Sequence, residues 1–241
     1  MVRAWKYVTA AALVAALFAG SVEAQPQSPH AVIELFTSQG CSSCPAADKL
    51  AAELAKDPGL VVVSMPVDYW DYLGWKDTLA RASFTERQKA YASQRGDRQV
   101  YTPQVVVNGV MHAVGSNKAE ISNCANRHNP SLTLDLAPSP TGYRVSIPAQ
   151  AGKSGTVILM PITRTKSIAI ARGENRGATV TYTNVVRRII RLAAWTGDAQ
   201  TVDIPAEDVK TGDADAFIVM LQTGSELQPG QILAAAKGPG L

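Results

Sequence analysis

The chain has 241 residues, a formal net charge of +3, 18% charged and 46% hydrophobic residues, and three cysteines. A balance this mild, with no Lys/Arg block, gives no footing for nucleic acid or an anionic membrane surface. There is no low-complexity tract and no internal repeat. The densest basic cluster, Arg187, Arg188 and Arg191, is interleaved with Val185, Val186, Ile189, Ile190 and Leu192, the pattern of a solvated face beside a buried one.

The first two dozen residues read as a targeting segment. Arg3 and Lys6 supply a positive start, Val8 to Ala19 an apolar stretch, and Val22-Glu-Ala24 small residues around a cleavage point after Ala24. The stretch falls short of the roughly 20 residues that span a bilayer. The expectation is a signal peptide over residues 1–24, export to a bacterial periplasm, and no stable membrane anchor after cleavage. An oxidising compartment lets a close cysteine pair rest as a disulfide.

Next, Ala31 to Phe36 is an apolar strand-like run, followed by Cys41-Ser-Ser-Cys44 and a helix-like run with apolar positions at Ala47, Leu50, Ala51, Leu54 and Ala55. Strand, Cys-x-x-Cys and helix in that order read as a thioredoxin-like redox motif. Free N–H groups at a helix start favour negative charge, which eases ionisation of the first thiol. The expected roles are Cys41 as exposed nucleophile and Cys44 as shielded resolving partner. Leu60 to Val63 reads as a strand buried on both faces. Ser83-Phe-Thr-Glu86 reads as a capping box opening a helix that ends at Gly96. Val105 to Val107, Asn108-Gly109 and Val110 to Val114 form a hairpin signal, since Asn-Gly suits a type I′ turn. Lys118 to Asn126 closes the unit as a helix. The order β-α-β-α-β-β-α is the minimal thioredoxin topology, assigned to residues 25–129.

Tyr101-Thr102-Pro103 stands immediately before that hairpin, where a thioredoxin fold carries a cis-proline facing the cysteines. Such a loop leaves backbone groups free to pair with an extended substrate chain. Beyond Asn129-Pro130 the pattern turns to short strands: 132–136, 143–147, 157–160, 167–171, 179–182, 202–204 and 217–221, with 185–192 ambiguous in period. The expectation for residues 130–241 is a smaller all-β, sandwich-like domain.

Three runs, Glu34 to Pro45, Val67 to Lys76 and Tyr101 to Gly109, resemble the exported thioredoxin-like family catalogued as domain of unknown function 1223. Gly173-Glu-Asn175 with Thr181 to Val186 is similar to that family's C-terminal part. The resemblance implies a thioredoxin-like domain followed by a β-rich one, and supplies no reaction. Comparison with thioredoxins, which often hold a buried carboxylate in the strand before the motif, makes Glu34 the acid–base helper, although alternation can point it away. Ser42-Ser43 between the cysteines matches neither the histidine of strong periplasmic oxidants nor the Gly-Pro of reducing thioredoxins, so the direction of electron flow does not follow.

Tyr69, Trp70, Tyr72 and Trp75 crowd one segment of a chain that is 6% aromatic. Thr102, Trp70 and Tyr72 are the candidate substrate-binding residues, and Trp75 is expected to pack between the two halves. Cys124 reads as buried and inert. His30, His112 and His128 are dispersed, and no metal set or cofactor site is read from the sequence. The leading function is a thiol–disulfide oxidoreductase acting on protein thiols or disulfides through Cys41, Cys44, Pro103 and Glu34. The alternatives are soft-metal (copper) handling by the two thiolates and a non-catalytic interaction module.

Overall fold

The computed structural model describes Met1, residues 28–225 and residues 227–241. The proposed signal peptide lies outside these described residues, apart from Met1. Two fully buried apolar runs form the centre of the fold: β1 (Ala31–Thr37) and β2 (Leu60–Pro66), parallel from Ala31↔Leu60 to Thr37↔Pro66. A parallel pair needs a crossover, and α1 (Cys44–Leu54) supplies it. Strand alternation then divides the side chains. Ile33 and Leu35 meet Ala47, Leu50 and Ala51 of α1 on one face, while Val32 and Phe36 meet Phe84 and Tyr91 of α2 (Ala82–Arg95) on the other.

β3 (Gln104–Val107) lies antiparallel to β1, and β4 (Met111–Val114) folds back on it. Asn108 and Gly109 turn between them at φ 52° and 76°, as an Asn-Gly hairpin requires. Helix α3 (Lys118–Ala125) follows, its N-terminus capped by the Asn117 side chain, which accepts from the Glu120 N–H. The first-half elements therefore occur in the expected order. The capping box does not form. Helix α2 begins at Ala82 without a side-chain cap, and the Thr85 hydroxyl instead donates to Asp68 at 2.6 Å, tying the helix to the segment after β2.

The second half is β-rich: β5 (Asp135–Ser139), β6 (Gly142–Ile147), β7 (Gly155–Ala169), β8 (Thr179–Val186), β9 (Ile190–Trp195), β10 (Gln200–Pro205), β11 (Ala216–Ser225) and β12 (Gln228–Lys237), with a short helix α4 (Ala206–Val209). The strands expected at 157–160 and 167–171 are one continuous strand, β7. One edge of β7 pairs with β11; the other pairs with β9 and then with β8. Pro161 lies where β9 gives way to β8. Its carbonyl accepts from the Arg187 N–H across that break, and its nitrogen points the same way, so the missing N–H forfeits no ladder bond.

The β-rich half, expected as a smaller sandwich-like domain, shares its large sheet with the first half. The large sheet runs β12-β11-β7-β8-β2-β1-β3-β4, with β9 beside β7. Its seam is the short parallel β2–β8 pairing at Ser64↔Val185. Side chains stitch that seam: the Ser64 hydroxyl donates to the Thr183 carbonyl at 2.8 Å, and the Asn184 amide to the Val62 carbonyl at 2.9 Å. The sheet curls until the Ile232 N–H donates to the Asn108 carbonyl at 2.9 Å. Helix α2 sits in the resulting hollow, in one core with Val32, Met65, Met160, Val186, Met220 and Ile232. The smaller sheet, β10-β6-β5, covers the opposite face of the β7–β11–β12 portion through Val145, Ile147, Leu159, Val219 and Leu221.

Candidate functional site

Cys41 and Cys44 are joined by a disulfide with their Cα atoms 5.4 Å apart. The loop from Ser38 to Ser43 carries the first sulfur off the end of β1, and Cys44 opens α1, followed by Pro45, which suits a helix's first turn. The loop is held from several sides. The Cys41 N–H donates to the Ser38 carbonyl and the Cys44 N–H to the Cys41 carbonyl, both at 3.2 Å. The Gln39 N–H donates to Asp77 and the Trp75 indole to the Gln39 side-chain oxygen, both at 2.8 Å. Gly40 is needed for close approach, since a Cβ there would sit 3.0 Å from the Trp70 Cβ.

The second half completes the site. Asn175, in the connection between β7 and β8, donates to the carbonyls of Gln39 and Cys41, each at 2.9 Å. The neighbouring Glu174 accepts from the Ser42 N–H at 3.1 Å. Under this latch Cys41 is only 2% exposed and Cys44 is fully buried. The expected open nucleophile is therefore covered in the disulfide state. Sequence spacing gives no sign of the cover, because its residues lie more than 130 positions downstream. Trp75 packs at the base of the latch in a cluster with Leu79, Ile170, Val180, Tyr182 and Val185, between the halves as expected.

The Thr102–Pro103 bond is cis. A Cβ on Gly115 would lie 3.0 Å from both the Ala47 and Pro103 Cβ atoms, so Pro103 and the first turn of α1 flank one spot. Trp70 bridges from Gly40 to this loop by donating its indole N–H to the Thr102 hydroxyl at 2.7 Å. Its ring stacks on Tyr72 with centroids 6.5 Å apart and planes inclined by 14°. Tyr72 is 78% exposed. Cys41, Cys44, Thr102, Pro103, Trp70 and Tyr72 thus gather in one region.

Glu34 faces elsewhere. Alternation sends it to the α2 side, where Arg87 donates to one carboxylate oxygen at 2.8 Å and the Tyr91 hydroxyl to the other. Arg87 and Gln222 also donate to Tyr91, and Arg87 to Gln222, linking β1, α2 and β11 in a buried polar network. Its geometry assigns Glu34 a structural part rather than the proton transfer expected of it.

A second buried carboxylate, Asp48, lies on the helix that Cys44 opens. It lies one helical turn after Cys44 on the buried face of α1, and among the described residues only the Thr37 hydroxyl is placed to donate to it. Burial, aided by the negative charge of Asp77, pushes its pKa up to about 8 against a lowering contribution from Thr37. The sequence signal was a lone acid within an apolar helical stripe. Cys124 of α3 is buried in the same core as Ala47 and Leu50 of α1, and burial raises its thiol pKa. His112 contacts the Tyr101 hydroxyl at 2.9 Å and Asp97 at 3.2 Å, and burial lowers its pKa. Among the described residues, no group of three or more His, Cys, Asp or Glu side chains is placed to hold a metal ion. A cavity of about 660 Å³ lies between the small sheet and the C-terminal residues and includes neither cysteine.

A family model described as a protein of unknown function (DUF1223) matches residues 32–222. The chain belongs to the DUF1223 family. That match runs from β1 to β11, so the DUF1223 unit contains both the cysteine loop and the latch. The crystal structure of protein AGR_C_4864 from Agrobacterium tumefaciens is similar at 30% identity and a TM-score of 0.78, over 89% of this chain and 96% of that one. HBP35 of Porphyromonas gingivalis shares the fold at 12% identity and a TM-score of 0.56, over 87% of this chain and 74% of that one. No curated protein matches.

Proposed function

We propose that this DUF1223 protein is an exported thiol–disulfide oxidoreductase acting on protein thiols or disulfides, with a thioredoxin-like first half. The observation that carries the reading is the Cys41–Cys44 disulfide at the start of α1, beside the Thr102–Pro103 loop. Strand and helix order through α3 supports the thioredoxin likeness. The positive and apolar N-terminal sequence supports export.

In the reduced protein Cys41 attacks a substrate disulfide as its thiolate. A mixed disulfide forms and one substrate sulfur leaves. Cys44 then attacks Cys41, the internal disulfide closes, and the second substrate sulfur departs; the reverse sequence reduces the protein and oxidises its partner. The Ser43 hydroxyl, 3.4 Å from the Cys41 sulfur, is placed to donate to it when it carries charge. The extended substrate backbone pairs along the Thr102–Pro103 loop, and Trp70 with Tyr72 forms an aromatic wall for its side chains. For substrate to reach Cys41, the Glu174–Asn175 latch lifts away.

The test is trapping. A Cys44→Ala variant, reduced and mixed with a periplasmic extract, is expected to accumulate mixed disulfides through Cys41 that dithiothreitol releases. Absence of any adduct, or adducts carried by Cys124, removes the reading. The metal-handling alternative has no such observation to carry it.

A further inference from the structure

The Glu174–Asn175 latch fits one state of the cysteine pair better than the other. Its connection between β7 and β8 is closed by its own bonds, from the Ile170 N–H to the Ala178 carbonyl at 2.9 Å and from the Gly177 N–H to the Ile170 carbonyl at 2.8 Å. It packs closely on the base of the site, where a Cβ on Gly173 would lie 3.4 Å from the Trp75 Cβ. Three side-chain bonds join it to the cysteine loop: two from Asn175 to carbonyls, and one from the Ser42 N–H to Glu174. All three suit a neutral disulfide. A Cys41 thiolate adds an anion next to Ser42, whose N–H is already given to a carboxylate, and a neighbouring like charge disfavours ionisation. Among the described residues, the charged side chains that bond this loop, Glu174 and Asp77, are both acids. Arg172 and Arg176 of the same connection are exposed and bond nothing in the loop. Helix α1 adds the buried Asp48 and the exposed Lys49. With the latch down Cys41 is 2% exposed, so water is kept from the charge as well.

We propose that the latch makes this protein a reductant of partner disulfides, closed over its own disulfide and released from its dithiol. The inference rests on the redox reading above, and it fixes the direction of electron flow that Ser42-Ser43 leaves open. Whatever binds one state of an equilibrium draws the equilibrium toward that state. A strong oxidant is made by stabilising the reduced cysteines; here the contacts stabilise the oxidised pair. In the forward reaction the Cys41 thiolate attacks the partner's disulfide, and Cys44 then closes on Cys41. Two electrons pass to the partner, whose two sulfurs take up the protons that the cysteine thiols give up. The latch closes behind them, and the released partner thiolate no longer finds Cys41 exposed. A dithiol donor returns the protein to its open form by reducing the Cys41–Cys44 bond and leaving as a disulfide itself.

The experiment sets the Cys41–Cys44 equilibrium in glutathione buffers and reads it by quenched alkylation and mass spectrometry, for wild type, Glu174→Gln and Asn175→Ala. Glutamine keeps an acceptor for the Ser42 N–H and removes only the charge. Each variant is expected to shift roughly threefold or more toward the dithiol, a modest factor because an exposed charge is screened. In a Cys44→Ser background, ultraviolet titration of the Cys41 thiolate is expected to move to lower pH when Glu174 becomes Gln. Trypsin reads the latch itself: it should cut after Arg172 and Arg176 faster in the dithiol than in the disulfide form. The wild-type dithiol is expected to reduce insulin, and the disulfide form to oxidise reduced, unfolded ribonuclease far more slowly. Suppose instead that the protein exchanges with glutathione, but the three equilibria coincide, trypsin cuts both states alike, or ribonuclease is oxidised faster than insulin is reduced. Any of these overturns this inference alone. A wild type that never exchanges with glutathione overturns the redox reading and this inference together.

Discussion

Two buried carboxylates, Glu34 and Asp48, lie on opposite sides of the same strand and have opposite fates. Glu34 is surrounded by donors from Arg87 and Tyr91 and helps bind β1, α2 and β11 together. Asp48, one helical turn after Cys44, has at most the Thr37 hydroxyl to answer it. Both are fully or almost fully withdrawn from water. Burial alone therefore says little about a carboxylate's work; its complement of donors decides. A satisfied charge holds structure, and an unsatisfied one is free to exchange a proton.

Breaking the Glu34 side should have the largest effect. Replacing Arg87 by Leu strands Glu34 as a buried charge and is expected to cost about 3–5 kcal/mol in urea unfolding. Replacing Glu34 and Arg87 together by leucines should recover much of that loss; equal damage from the single and double changes would show that the ion pair is not the source.

Asp48→Asn should act in the opposite direction. The folded pKa is raised to about 8 from the ordinary 3.8, so the folded state binds the extra proton between those values. Wild-type stability should accordingly fall as pH rises from about 4 toward 8 relative to the variant. The Asn variant is expected to be more stable by a few kcal/mol at pH 8 and no different near pH 4. Parallel stability curves for the two proteins across that range would refute the account.

Removing the disulfide is expected to matter less than breaking the ion pair. A bridge between residues three apart closes a very short loop, so Cys41→Ser with Cys44→Ser should lower stability by about 2 kcal/mol or less and abolish thiol exchange. Ready unfolding of the double variant would favour a structural clamp.

The smallest effect on stability, and a clear one on rate, is expected from Asn175→Ala. It removes two hydrogen bonds from the cysteine loop, about 1 kcal/mol in thermal unfolding. Reduction of the disulfide by dithiothreitol should accelerate several-fold; an unchanged rate would show that the latch does not limit access.

Local chemistry was legible in the sequence. The cysteine pair, the Asn108-Gly109 turn and the proline before β3 each depend on a few adjacent residues, and each stands where the sequence places it. The Glu34 reading failed because a strand's two faces are equivalent until a neighbour is known, and that neighbour, Arg87, is 53 residues away. Asp48 was overlooked because an apolar stripe reads the same whether or not an acid interrupts it. Strand β12 escaped because its run of alanines, Ala234 to Ala236, has little strand preference of its own and is held by pairing with β11. The joined sheet could not be foreseen either, since the β2–β8 seam is one parallel bridge reinforced by Ser64 and Asn184 rather than by a long matching pattern.

The latch has a consequence for how the molecule comes into being. Cys41 and Cys44 are synthesised early, while Glu174 and Asn175 follow more than 130 residues later. Until that stretch arrives and docks, the two thiols stand at the end of an uncovered loop, open to whatever oxidant the surroundings hold. Their bond can thus be formed by the environment during maturation and covered by the chain afterward.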